Sequence, residues 1–69
     1  MQDHVFKLTE IVGTSSQSID AAITAALGRA RSSIRNVRWF EVTGTRGSID
    51  EAGAIQYQVS LKVGFTLED

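Results

Sequence analysis

Few side chains in this sequence are equipped for chemistry, and their spacing narrows the choice further. The single histidine, His4, lies next to the N-terminus, which argues against a histidine-based triad and against a multi-histidine metal site. Cysteine is absent, so thiol nucleophiles, thiolate ligands and disulfides are all excluded. Glu10, Glu41, Asp50 and Glu51 are too scattered for a carboxylate pair or a calcium loop. Serines are plentiful, yet none has a base placed to activate it. Gly44 and Gly47 bracket Thr45-Arg46 in the manner of a strand bend, without the G-x-G-x-x-G of a phosphate-cradling loop. What remains is recognition chemistry. Trp39 offers the chain's one indole for stacking, and Gln58 offers an amide with both donor and acceptor ends.

These residues must be positioned by a very small scaffold. Its 69 residues and 7.5 kDa make a single domain, 1–69, whose 42% apolar and 22% charged content is ordinary for a globular chain. A net charge of -1 and a pI near 5.7 argue against a dedicated nucleic-acid binder. No apolar run is long enough for a membrane span, and no signal-peptide block opens the chain, so the expected location is the cytoplasm. Domains of this size bury only about 60% of their extended-chain surface and are marginal alone. With no disulfide and no metal-ligand cluster available, self-association is the support left open.

The pattern along the chain reads β-α-β-β. Val5 to Val12 is a first strand, ended by Gly13, and Thr14 with Gln17 fits a helix-capping box. From about Ser18 to about Ile34, the apolar residues Ile19, Ile23, Ala26, Leu27, Ala30 and Ile34 recur on one helical face. Arg29, Arg31 and Arg35 gather near its end, where cations oppose the negative end of the macrodipole, and Asn36 is a terminator. A second strand is expected from Val37 to about Arg46, then a loop over Gly47 to Gly53. The third strand, about Ala54 to Leu67, alternates strictly: Ile55, Tyr57, Val59, Leu61, Val63, Phe65 and Leu67 on one face, polar residues and Gly64 on the other.

Placing the third strand between the other two gives an α+β fold, a three-stranded antiparallel sheet of order 1-3-2 packed on one α-helix. The opposite sheet face then has no cover within the chain. Phe40 and Val42 are in phase to face the helix, which puts Trp39 on the uncovered face with Glu41, Thr43, Gln58, Ser60 and Lys62. An indole among polar groups on an open sheet face is either an interface anchor or a stacking platform, and the two roles are compatible.

Glu10-Ile11-Val12-Gly13-Thr14-Ser15, Trp39-Phe40-Glu41-Val42, Arg46-Gly47, Tyr57-Gln58-Val59 and Lys62-Val63-Gly64-Phe65, in this order and spacing, resemble the dodecins. The resemblance runs from about Val5 to Asp69. It implies a flavin-binding protein that assembles as a hollow homododecamer, holds flavins in pairs at two-fold interfaces, and stores, buffers and protects them. The family's stacking tryptophan falls on Trp39 and its flavin-bonding glutamine on Gln58. Thr45, Arg46 and Lys62 complete the expected contacts, with Arg46 and Lys62 as candidate phosphate partners. FMN is the expected cofactor, ahead of riboflavin or FAD, and coenzyme A is a further partner suggested by relatives alone. Gly44 departs from what an extended strand favours. Binding without turnover is the expected activity. The rival readings are a flavin-dependent enzyme or photochemical quencher using the same site, and a purely structural oligomer anchored by Trp39.

Overall fold

The alternating run near the C-terminus forms the central strand. The computed structural model describes residues 3–67, in which the elements are β1 (Phe6–Ser15), α1 (Ile19–Ser33), β2 (Val37–Ile49) and β3 (Ile55–Thr66). β3 pairs antiparallel with β1 on one side and β2 on the other, in the order β1-β3-β2 read from the sequence. Val59, Leu61 and Val63 are fully buried against Ala22, Ala26 and Ala30 of α1. Ile55 and Leu67, expected on the same buried face, stay 47% and 51% exposed. Length explains the difference. Fifteen helical residues span about 22 Å at about 1.5 Å each, whereas twelve strand residues span about 40 Å at about 3.3 Å each.

Gly13 does not end β1. It pairs with Val59, and the strand continues to Ser15. Its role is to let the helix approach: a Cβ at Gly13 would collide with the Ala22 carbonyl oxygen and lie 2.8 Å from the Ala26 Cβ. The Thr14–Gln17 capping box is therefore replaced by another cap. Thr14 pairs with Gln58 in the sheet, the Ser15 Oγ accepts from the Gln17 N–H at 2.9 Å, and Ser18 caps the helix by accepting from the Ala21 N–H at 2.9 Å. Asp20 sits in the first turn and Arg31 in the last, each complementing the macrodipole. The helix closes with the Ile34 N–H donating to the Ala30 carbonyl at 2.8 Å, and Asn36 turns the chain at φ 65°.

β2 runs three residues beyond its expected end at Arg46, because Gly47, Ser48 and Ile49 still pair with Tyr57, Gln56 and Ile55. The turn is confined to Asp50–Ala54. There the Asp50 carboxylate accepts from the Ala52 and Ala54 N–H groups, both at 2.9 Å, and Gly53 adopts φ 87°. Phe40 and Val42 occupy the helix side of the sheet opposite Val63 and Leu61, but α1 lies over β1 and β3 and scarcely reaches β2. They remain 46% and 40% exposed. The protomer measures 55 × 20 × 14 Å with a radius of gyration of 14.4 Å, against about 11 Å for a compact chain of this length.

The closeness of helix and sheet at Gly13 is testable. Gly13→Ala should lower unfolding stability by about 1–3 kcal/mol, as overpacking does. Urea denaturation followed by circular dichroism measures it, and an unchanged midpoint would mean that the helix yields at no cost.

Candidate functional site

Residues paired across an antiparallel sheet project to the same face, so the register defines the open face row by row. One row across the three strands holds Leu8, Gly64 and Trp39, and the next holds Glu10, Lys62 and Glu41. Then come Val12, Ser60 and Gly44, followed by Thr14, Gln58 and Arg46. Two bulges in β2 create this arrangement. The first, at Arg38, turns Trp39 away from the side occupied by Val37. The second, at Thr43, shifts the phase again, so that Gly44 and Arg46 share the face of Trp39 while Thr45 pairs with Val59 on the helix side. Gly44 thus sits at a bulge, where a glycine is at home. The Thr43 hydroxyl lies 3.2 Å from the Ser60 carbonyl and 3.2 Å from the Glu10 Oε2, bracing the bulge.

Four of the five residues singled out from the sequence, Trp39, Gln58, Arg46 and Lys62, therefore lie on one face, and Thr45 lies on the other. The four do not converge within one protomer. Gly64, beneath Trp39, and Gln58 are six residues apart on β3, which is about 20 Å at about 3.3 Å per residue. Lys62 stands between, flanked in register by Glu10 and Glu41. Arg46 and Gln58 are direct neighbours, joined by a hydrogen bond of 3.4 Å.

Trp39 lies flat over the central strand because Gly64, its partner there, has no side chain to compete with the ring. A Cβ at Gly64 would collide with the face of the indole, at Cε2, Cζ2 and Cδ2. Phe6 meets the ring edge-on at 6.0 Å between centroids and 62° between planes, a favourable quadrupolar geometry. The indole is 38% exposed, and Phe6, Leu8 and Val12 are exposed beside it on the same face. Gly64 is the residue that reading by alternation passes over. Its signal is a glycine at an outward position of a regular strand, which marks close approach by another group. Elsewhere, a groove of about 380 Å³ between β1 and α1, lined by Ile11, Ala26, Arg29 and Ile34 among others, contains none of the singled-out residues. Among the described residues, no group of three or more His, Cys, Asp or Glu side chains gathers to hold a metal, and no helix is long and apolar enough to cross a membrane.

This geometry defines a class: a one-helix, three-stranded α+β protomer that carries an indole platform and a polar row on its open sheet face. The dodecin family model matches residues 5–68 of the chain. The dodecin of Thermus thermophilus is 55% identical over 65 residues, 94% of each chain. A solved structure of a Thermus thermophilus protein superposes with a TM-score of 0.89 at 54% identity, covering 97% of this chain and 98% of that one. The dodecin from Streptomyces davaonensis superposes with a TM-score of 0.92 at 38% identity, covering 99% and 100%. The calcium dodecin of Mycobacterium tuberculosis is 36% identical over 63 residues, 91% of this chain and 89% of its own; its crystal structure is described as having a novel calcium-binding site. The chain belongs to the dodecin family.

Because Trp39 is the sole tryptophan, its emission reports directly on the platform. Gly64→Ala should lift the indole off the strand into water and shift its emission maximum to longer wavelength. An unmoved maximum would show that the ring accommodates the methyl without leaving the sheet.

Proposed function

We propose that this protein binds and stores flavin, with FMN as the ligand, in the cytoplasm, stacking the ring on Trp39 at a two-fold interface of a hollow homododecamer. The observation that carries the reading is the indole lying flat over Gly64 on a sheet face that its own helix leaves open. A flat aromatic face takes an isoalloxazine ring without demanding hydrogen bonds. The Gln58 amide suits the alternating carbonyl and N–H groups of the flavin's pyrimidine edge. Of the two cations, Lys62 stands between two carboxylates, so Arg46 is the stronger partner for a phosphate. That favours FMN over riboflavin.

The separation of about 20 Å between Trp39 and Gln58 supports placing the site between protomers, since one ring system cannot span both residues of a single chain. A two-fold axis running the two sheets in opposite directions brings the indole of one copy toward the amide of the other, and supplies every contact twice. The exposed Phe6, Leu8 and Val12 on the same face favour the same contact. The row next to Trp39 holds Glu10, Lys62 and Glu41, a cation flanked by two carboxylates. In this reading the chain's residues hold and shield the ligand, and redox and photochemistry belong to the flavin when bound.

Two measurements test this. Titration with FMN should quench flavin emission, because the stacked indole donates an electron to the excited ring. Stacking on an aromatic side chain is worth about 1–3 kcal/mol for a nucleobase, so Trp39→Ala should weaken binding about 10-fold or more. Unchanged emission in the wild type, or an identical titration by the variant, would reduce Trp39 to an interface anchor. Separately, sedimentation at low micromolar concentration should give a particle of twelve chains. A folded, long-lived monomer would end the interfacial reading.

A further inference from the structure

Gln58 does not stand alone on the open face. The Arg46 guanidinium donates through Nη1 to the Gln58 Oε1 at 3.4 Å and through Nη2 to the Ser60 Oγ at 2.6 Å. A guanidinium carries five N–H donors and no acceptor, so only the carbonyl end of the amide can face it. The orientation of the amide is thereby decided: Oε1 toward Arg46, NH2 group away. The short bond to Ser60 ties the guanidinium to a second point on the central strand, one row along. Drawing electron density toward the carbonyl oxygen also strengthens the amide N–H groups as donors.

We infer that Arg46 is a positioning residue for the ligand's ring: by holding Gln58 in one orientation, it presents the amide NH2 to a carbonyl acceptor on the pyrimidine edge of a flavin. The inference rests on the flavin reading above and adds to it a determinant of specificity. Ligands with an acceptor at that edge are favoured, and those with a donor there meet the wrong end of the amide. The role is separate from any phosphate contact, because it acts on the ring rather than on the side chain of the flavin.

Riboflavin, which has the ring but no phosphate, isolates the effect. Wild type, Arg46→Met, Ser60→Ala, Gln58→Ala and the Arg46→Met/Gln58→Ala double variant are titrated with riboflavin and with FMN by emission quenching. Sedimentation velocity first establishes that each assembles as the wild type does. Arg46→Met should weaken riboflavin binding about 5-fold, in the range of one net hydrogen bond. Ser60→Ala should weaken it in the same direction by less. Arg46→Met should add nothing further in the Gln58→Ala background, where there is no amide to orient.

Unchanged riboflavin affinity with weakened FMN affinity would make Arg46 a phosphate partner alone and overturn the inference. Full additivity in the double variant would overturn it too. Should Arg46→Met fail to assemble, Ser60→Ala decides by itself, and an unchanged riboflavin titration sinks the proposal. A wild-type protein that binds neither flavin is a distinct result, which removes the flavin reading and this inference with it.

Discussion

Everything in this protomer depends on how closely one helix can lie on the central strand. Ala22, Ala26 and Ala30 present methyl groups and little else, and Gly13 withdraws even that from the facing strand. The helix backbone consequently approaches the sheet until Val59, Leu61 and Val63 are sealed. Small residues limit the apolar area each contact buries, and the described core is correspondingly modest. The chain concentrates its burial on the middle of β3 and leaves both ends of that strand, and most of β2, outside the helix.

That economy shapes the rest of the molecule. A single helix closes one side of the sheet over β1 and β3, so the other face and the flank at Phe40 and Val42 stay exposed. The hairpin of β2 and β3 projects beyond the helix and stretches the protomer to 55 Å. An elongated chain with apolar residues exposed on both sheet faces, and without disulfides, has the character of a part more than of a free-standing domain. The proposed flavin site fits that character, because its aromatic and amide ends lie too far apart on one chain to serve one ring.

Bulges in β2 do the local work of the open face. Each adds one residue to that strand against an uninterrupted β3, and each reverses which side the following residues face. The first carries Trp39 onto the open face beside Gly64. The second carries Arg46 there beside Gln58 and Ser60, and sends Thr45 to the helix side. Positions of this kind re-aim side chains without changing the fold, which suits a surface built for recognition.

Strand order, the helix and the open face were legible in the sequence because they follow from periodicity. The alternation of Ile55 to Leu67 marks a strand with one buried side, and the spacing of Ile19, Ile23, Ala26 and Ala30 marks one helical face. The opposition of Trp39 to Phe40 and Val42 was legible for the same reason, since the three are adjacent and no bulge falls between them. Three features were decided by the tertiary structure alone. Gly13 reads locally as a strand end, yet its lack of a side chain serves a helix that packs on it from elsewhere in the chain. Strict alternation along β2 would set Arg46 with Phe40 and Thr45 with Trp39; the bulge at Thr43, braced by Ser60 and Glu10 from the other two strands, reverses both. Gly64 reads as one more outward position, and only the folded sheet reveals the indole lying across it. The physical reason is common to all three. Periodicity is a property of neighbours in sequence, whereas close approach and strand register are set by residues that meet only when the chain has folded.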